Sequence, residues 1–210
     1  MFNVCPYCGE YSVKKEIDPR GPFAICPFCG HRSRFVQLPL FVLTGASGTG
    51  KTTIALNLAR SFHECVTMDS DMLWGVVPTT TRDGYSVFRD TWLRVAKNIG
   101  QAGRPVVLVG SALPEQFENY PERRYSTHIH YLAVVCDDDT LVQRLRARPA
   151  WSGSGTAEFI EDMRGFNAYI KSHTGTSTPP MSLLDTTSST IDESTAATIE
   201  WISARLPSSR

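Results

Sequence analysis

The chain has 210 residues, of which 41% are hydrophobic and 20% are charged. This composition is typical of a globular protein of one or two domains and excludes collagen-like, mucin-like and coiled-coil chains. Lysine and arginine together number 21, as do aspartate and glutamate, so the formal net charge is zero. No overall field draws the chain to nucleic acid or to an anionic membrane, and any basic site must be local.

The sequence predicts neither a membrane span nor a secretory signal. Its longest apolar stretch, residues 38–43, is interrupted by Pro39 and falls far short of the roughly twenty residues of a membrane helix. The first twenty residues carry cysteines and acidic residues and lack a basic start followed by an apolar run. We therefore expect a cytoplasmic protein with no membrane partner, in which paired cysteines favour metal binding over disulfides.

Two cysteine pairs near the N-terminus share the pattern Cys-Pro-aromatic-Cys-Gly, and seventeen residues separate them. Each C-x-x-C turn directs two thiolates at one centre, and two turns supply four sulfurs to a tetrahedral zinc ion. Residues 1–35 thus resemble a zinc ribbon, with a structural Zn²⁺ bound by Cys5, Cys8, Cys26 and Cys29. A thioredoxin-like redox pair is the alternative, but that motif occurs once, at a strand-to-helix junction.

The partner of this ribbon is less sharply indicated. Five basic residues against three acidic ones give it two positive charges, which the two negative charges of a four-thiolate zinc site offset. A nucleic-acid partner is therefore open but not favoured. The aromatic residues of the ribbon could stack on bases, although we expect them to form its small core: Phe2, Tyr7, Tyr11, Phe23 and Phe28.

From residue 38 onward, apolar strand patterns alternate with helical ones, which predicts an α/β domain with a five-stranded parallel sheet over residues 38–210. We place the strands at residues 40–44, 65–69, 105–110, 131–137 and 182–185. The helices are predicted at 51–62, 87–102, 139–147, 157–171 and 192–206, with Asp192 or Ser194 capping the last.

The segment 45–52 reads G-x-x-x-x-G-K-[ST] between an apolar strand and a helical pattern, the context of a phosphate-binding P-loop. Its backbone N–H groups and the start of the next helix favour bound phosphate. Lys51 should reach the β- and γ-phosphates, and Thr52 should ligate Mg²⁺. The predicted nucleotide-binding residues are Gly45, Ala46, Ser47, Gly48, Thr49, Gly50, Lys51, Thr52 and the adjoining Thr53.

Asp69 and Asp71 follow the second strand of this domain, so their carboxylates should meet the P-loop at the ligand-binding edge of the sheet. Over about residues 38–206 the sequence resembles the adenylate-kinase-like small P-loop kinases, which include shikimate, gluconate and chloramphenicol kinases. The resemblance implies ATP-dependent transfer of phosphate to a hydroxyl group. It gives Asp69 a magnesium-bound water and makes Asp71 the base that meets the acceptor. Either aspartate could instead only cap the next segment.

Departures from the nucleotide-kinase pattern bear on the acceptor. Relatives that phosphorylate nucleoside monophosphates carry an arginine after the matching Asp-Met-Leu and another after the third strand; Trp74 and Ser111 begin those places here. We therefore expect an uncharged small-molecule acceptor with a hydroxyl group, such as a nucleoside. Arg82 or Arg89 could still hold an acceptor phosphate. Four aromatic residues could wall an acceptor pocket or pack in the core: Trp74, Tyr85, Phe88 and Trp92.

The third strand lacks the terminal aspartate of a Walker B element. The magnesium site should then rely on Asp69, which argues against a mechanical ATPase of the AAA type. Gly110 and Ser111 should line the acceptor site.

Residues 144–149 resemble the R-L-x-x-R-P stretch that opens the lid of these kinases. Arg144 and Arg148 should share one helix face and reach the transferring phosphate, unless they form a solvated basic face. The lid itself is expected at residues 152–156. Asp185 and Thr186 stand where these kinases contact the adenine ring.

The favoured function is therefore an ATP- and Mg²⁺-dependent small-molecule kinase. One alternative is a nucleoside monophosphate kinase. Another is a protein that docks on nucleic acid through the ribbon and acts as an ATPase or as a polynucleotide 5′-hydroxyl kinase. A nucleotide-sensing scaffold without transfer activity is a further one.

Overall fold

The computed structural model describes residues 3–18, 20–77 and 84–207. A small antiparallel sheet comes first, formed by β1 (Glu16–Asp18), β2 (Phe23–Ile25) and β3 (Arg32–Arg34). The strands β4 (Leu38–Thr44), β5 (Val66–Asp69), β6 (Val106–Val109), β7 (Ser126–Val135) and β8 (Met181–Asp185) follow. The helices are α1 (Lys51–Ser61), α2 (Gly84–Gly100), α3 (Glu115–Glu118), α4 (Asp138–Arg146), α5 (Ala157–His173) and α6 (Ile191–Ser203).

The large sheet confirms the predicted α/β fold. Its five strands are parallel, in the order β5-β6-β4-β7-β8. The central strand β4 is apolar from Leu38 to Leu43, as expected where helices cover both faces of the sheet. Leu40 and Val42 belong to the core on one face, while Phe41 and Leu43 belong to the core on the other, as the two-residue period of a strand requires.

Strand and helix boundaries depart from the sequence predictions mainly at the ends. Strand β7 begins five residues earlier than predicted. Its first residues were missed because they are polar and partly exposed and form no apolar run. The cap predicted at Asp192 or Ser194 is wrong. Thr190 caps α6 instead: its side chain accepts from the Glu193 amide, and the Glu193 carboxylate accepts from the Thr190 amide in a capping box. This pair satisfies two N–H donors at the helix start at once.

The aromatic residues predicted to form the core of the N-terminal module do not do so in the main. Tyr7, Tyr11 and Phe28 are 77%, 56% and 63% exposed; Phe23 is half-buried, and Phe2 lies outside the described residues. The small core consists of Ala24, Phe35 and Tyr125, with Ile17 against it. Tyr125 comes from the turn before β7, so the module completes its core with a residue of the larger domain.

A buried lysine of the larger domain also contacts the N-terminal module. The Lys97 ammonium on α2 lies 2.7 Å from a Glu122 carboxylate oxygen, with both side chains buried. The same ammonium donates to the Asn3 side-chain oxygen at 3.0 Å. Since β4 follows β3 closely, the module lies at the edge of the large sheet where its strands begin, opposite to the P-loop. The domain division near residues 35–38 stays a prediction.

In the part of the chain that the structure describes, no helix combines the length and apolar character needed to cross a bilayer.

Candidate active site

The loop between β4 and α1 has the conformation that its glycines permit. Gly45 has a φ of 148°, and a side chain there would collide with the Val134 carbonyl oxygen of the neighbouring strand. The loop therefore lies directly against β7. Helix α1 begins at Lys51, so its unpaired N–H groups face the space above the loop, where an anion is favoured.

The Lys51 side chain closes over this loop. Its ammonium donates to the carbonyl oxygens of Gly45 at 2.7 Å and Ala46 at 2.9 Å. Burial, together with the nearby Arg148 charge, lowers the pKa of Lys51 to about 8, against the opposing effect of the Asp71 and Asp69 carboxylates. The amine thus lies between cationic and anionic groups, and any anion bound beside it would stabilise its charged form.

Most of the predicted site residues line one cavity of about 460 Å³ at the carboxyl ends of the strands. This volume suits a small-molecule ligand. The predicted residues in its wall are Ser47, Gly48, Gly50, Lys51, Thr52, Thr53, Asp69, Asp71, Gly110, Ser111, Arg144, Arg148 and Thr186. Gly45, Ala46 and Thr49 are buried beneath it.

The two aspartates belong to one short turn after β5. Asp69 caps the 3₁₀ turn Ser70–Leu73 by accepting from the Asp71 amide at 2.9 Å. Asp71 accepts from the Trp74 indole N–H, also at 2.9 Å. Asp69 thus caps this turn, and both carboxylates also border the cavity.

Close packing between Ser70 and Gly110 sets the position of this turn. Ser70 is 2% exposed, and a Cβ atom on Gly110 would come within 2.8 Å of the Ser70 Cβ. Only glycine at the end of β6 lets the Asp69–Asp71 turn approach so closely. The next residue, Ser111, donates to the Gly45 carbonyl at 2.9 Å and ties the end of β6 to the start of the P-loop.

The two arginines have different environments. Arg144 donates to the hydroxyl of Thr186 at 2.9 Å and to its carbonyl at 2.8 Å. Arg148 is exposed and lies two residues beyond the end of α4. The prediction that both share one helix face is wrong, because the helix ends at Arg146. Arg144 is hydrogen-bonded to Thr186, whereas Arg148 lines the cavity.

Asp185 does not line the cavity. The residue is exposed, and its carboxylate accepts from the Thr187 amide at 2.9 Å and the Thr187 hydroxyl at 2.6 Å. The wall here comes instead from the start of α6, which sequence reasoning missed: Ser189, Thr190, Ile191 and Ser194. The T-x-x-E capping pattern at Thr190 is the signal that could have placed this helix start beside the site.

The predicted lid, residues 152–156, forms a hydrogen-bonded connection between α4 and α5. Ser154 is 2% exposed, and its hydroxyl lies 3.2 Å from the Leu145 carbonyl. Thr156 caps α5 by accepting from the Phe159 amide at 3.3 Å. This segment is anchored at both ends, because its serine and threonine hydroxyls replace missing helix contacts.

The four aromatic residues near the acceptor side divide into two pairs. Phe88 and Trp92 are buried in the core, whereas Trp74 and Tyr85 are 48% and 53% exposed, with their rings in contact. Arg89 lies over the Tyr85 ring at 5.8 Å and does not line the cavity. Arg82 lies outside the described residues.

The four cysteines of the two C-x-x-C turns, or cysteine knuckles, fit a zinc ion. Their sulfur atoms all lie within 4.8 Å of one another, with Cys5 and Cys29 3.7 Å apart and Cys8 and Cys26 3.8 Å apart. A zinc–sulfur tetrahedron with bonds of about 2.3 Å has edges of about 3.8 Å. The donor set and its spacing are compatible with a structural zinc site.

Comparisons with known proteins give a family and a fold. Residues 42–162 match the family described as AAA domain, and no curated protein matches the chain. The missing aspartate after β6 argues against a mechanical ATPase, and the family match does not test this point.

Several solved structures have a similar fold. A sugar kinase from Janibacter sp. HTCC2649, solved without ligand, has a TM-score of 0.59 and 15% identity over 80% of this chain and 95% of that chain. A putative kinase from Chloroflexus aurantiacus j-10-fl has a TM-score of 0.55 and 17% identity, over 82% and 100%. Shikimate kinase from Acinetobacter baumannii, in complex with shikimate, has a TM-score of 0.52 and 16% identity, over 81% and 96%. At these identities the likeness shows a P-loop kinase-like fold.

Proposed function

This chain belongs to the AAA domain family, and from that premise we propose that it is an ATP-dependent kinase with an uncharged, hydroxyl-bearing small molecule as acceptor. One observation carries the proposal. A single cavity of about 460 Å³ is bordered by the P-loop, by the carboxylates of Asp69 and Asp71 and by the Arg148 guanidinium. These are the groups that phosphoryl transfer from a nucleoside triphosphate to an alcohol requires.

The triphosphate of ATP would lie along the P-loop and the start of α1. Lys51, which the surrounding atoms desolvate, gains a counter-charge there, and its ammonium exchanges the carbonyls of Gly45 and Ala46 for phosphate oxygens. Thr52 and Asp69 would hold Mg²⁺, which neutralises charge on the β- and γ-phosphates. Arg148, which faces the same cavity, would stabilise the charge that develops on the transferred group.

Asp71 would act on the acceptor. Its carboxylate orients the hydroxyl and accepts the proton as the acceptor oxygen bonds to the γ-phosphorus and the bond from phosphorus to the β–γ bridging oxygen breaks. ADP and a phosphate ester are the products. The pairing of Asp71 with Asp69 through an amide hydrogen bond keeps the base and the metal-binding carboxylate in a fixed relation.

The nucleotide base would lie near Arg144 and Thr186. The bidentate bond between Arg144 and the Thr186 hydroxyl and carbonyl holds a planar guanidinium at this end of the cavity, suited to stacking on a base. Asp185 is bonded to Thr187, which favours Thr186 as the residue of this pair that contacts the base.

The contacts near Asp71 support an uncharged acceptor. Trp74 donates to Asp71, and Arg89 packs on Tyr85, so neither supplies a bidentate site for an acceptor phosphate. The ribbon lies at the opposite edge of the sheet, which disfavours its use to deliver a polynucleotide end to Asp71. We propose that the ribbon binds Zn²⁺ through Cys5, Cys8, Cys26 and Cys29 and serves a structural role.

The test is a screen of ADP release from Mg-ATP by the purified full chain. The acceptor panel should include sugars, shikimate, other hydroxy acids, nucleosides and the matching nucleoside monophosphates. We expect turnover with an uncharged hydroxyl acceptor, lost in Lys51→Met. ADP release that depends only on monophosphates would favour a nucleoside monophosphate kinase, and no acceptor-dependent release would refute the proposal.

A further inference from the structure

The carboxylate of Asp71 is held by a side chain three residues later. The Trp74 indole N–H donates to Asp71 Oδ1 at 2.9 Å, and the Trp74 amide donates to the Asp71 carbonyl at 3.0 Å. Among the residues that the structure describes, no other side-chain hydrogen bond reaches this carboxylate. Oδ2 is thus the oxygen left for a ligand in the cavity.

The Trp74 ring packs against two aromatic residues of α2. Its centroid lies 4.8 Å from that of Phe88 and 6.2 Å from that of Tyr85. Phe88 is 2% exposed and packs in turn on Trp92, with centroids 4.8 Å apart. A chain of aromatic contacts therefore runs from the core to the indole, whose N–H binds one oxygen of the Asp71 carboxylate.

We propose that Trp74 is a positioning residue that orients the Asp71 carboxylate toward the acceptor hydroxyl. This inference rests on the proposed function and extends it. An indole has one donor and no acceptor, and Trp74 uses that donor on Asp71. The side chain therefore has no donor left for an acceptor phosphate, which agrees with the uncharged acceptor proposed above.

The contact can be tested without activity by the indole N–H resonances of the four tryptophans in ¹H–¹⁵N spectra. Trp74→Phe identifies the Trp74 resonance. We expect Asp71→Ala to move it upfield and to speed its exchange with solvent, because the carboxylate acceptor is gone. The Trp151 resonance, from a ring that is 88% exposed, should not move. A Trp74 resonance unaffected by Asp71→Ala would overturn the proposal.

The functional part is tested by steady-state kinetics with the acceptor found in the screen. Trp74→Phe keeps a ring against Phe88 but removes the N–H, and we expect kcat to fall about tenfold while KM for ATP stays within about twofold. Trp74→Ala should lose at least as much. Trp151→Phe makes the same chemical change at the surface and should leave kcat unchanged.

The outcomes separate this proposal from the proposed function. If the wild-type chain transfers phosphate and Trp74→Phe has the wild-type kcat, the positioning role is refuted and the kinase proposal stands. A change confined to acceptor KM would also refute it, because the indole would then only pack against the acceptor. If the wild-type chain transfers no phosphate to any acceptor, both proposals fail.

Discussion

Arg144 and Thr186, 42 residues apart in the chain, are joined by two hydrogen bonds, from the guanidinium to the hydroxyl at 2.9 Å and to the carbonyl at 2.8 Å. The Thr186 hydroxyl also lies 2.9 Å from the Thr49 carbonyl in the P-loop. This contact gives Arg144 a fixed position at one end of the cavity, while Arg148 stays exposed to it.

The two arginines should therefore give different kinetic phenotypes. We expect Arg144→Ala to raise KM for ATP about tenfold with a smaller effect on kcat, because under the proposed function Arg144 contacts the nucleotide base. Arg148→Ala should lower kcat by about 10² or more with little change in KM for ATP, because under the proposed function Arg148 stabilises charge on the transferring phosphate. Steady-state kinetics of both variants, with exposed Arg146→Ala as the control, decide this. Identical effects of the two substitutions would contradict the assignment.

The depressed pKa of Lys51 predicts how ATP affinity depends on pH. Without nucleotide the Lys51 ammonium has a pKa of about 8, and bound phosphate favours its charged form. Affinity should be greatest below pH 8 and weaken as the pH rises above it, because binding must then recruit a proton. Titration calorimetry from pH 7 to 9.5 measures this dependence, and Lys51→Arg, which stays charged, should show a flat profile. A flat wild-type profile would count against the contact.

The same shift affects stability in the absence of nucleotide. Because the folded pKa lies below the ordinary value of 10.5, the unfolded chain binds more protons between about pH 8 and 10.5. The Lys51 contribution to the free energy of unfolding should then rise with pH across that window and be constant below it. The difference between wild type and Lys51→Met in urea unfolding isolates this contribution.

The packing of Ser70 on Gly110 predicts a coupled pair of substitutions. Gly110→Ala should cost about 1–3 kcal/mol of stability, because Ser70 and the Asp69–Asp71 turn must move away from β6, and kcat should fall with it. Ser70→Gly removes the atoms that the new methyl group meets, so the double variant should recover much of both losses. Urea unfolding and kcat of the four proteins form a double-mutant cycle. Additive effects would show that the two residues do not press on each other.

The buried Lys97 ammonium, which contacts Glu122 in its own domain and Asn3 in the N-terminal module, predicts that the module and the larger domain unfold together. Lys97→Met leaves the Glu122 carboxylate buried without its 2.7 Å partner and should cost about 3–5 kcal/mol, whereas Lys97→Met with Glu122→Leu should cost less. Chelation of zinc should also lower the melting temperature of the whole chain, since Phe35 and Tyr125 share one core. Two separate thermal transitions with zinc bound would contradict this coupling.

Local patterns in the sequence predicted the parts of the molecule that depend on neighbouring residues. The P-loop and the central strand before it follow from a contiguous motif and an apolar run, and the cysteine knuckles from a repeated spacing. The contacts that join distant segments were beyond such reasoning. Arg144 with Thr186 and Phe35 with Tyr125 each bring together residues that share no periodic pattern, and their pairing depends on how the strands are ordered in the sheet.

The short turn after β5 shows the same limit at close range. Sequence reasoning placed Asp69 and Asp71 at the edge of the sheet, but it treated Trp74 only as a departure from an arginine or as part of an aromatic wall. The indole hydrogen bond depends on α2 holding the ring in place, and that requires the tertiary contact with Phe88. A carboxylate followed by an indole donor three residues on carries no signal of its own.

The most direct test is single-turnover phosphate transfer by Asp71→Asn with the acceptor found in the screen. The central claim predicts that the transfer rate falls by about 10² or more, the usual contribution of a general base, while the Kd for ATP stays within about twofold because the P-loop is intact. Transfer at the wild-type rate by Asp71→Asn would contradict the claim that this carboxylate acts on the acceptor hydroxyl.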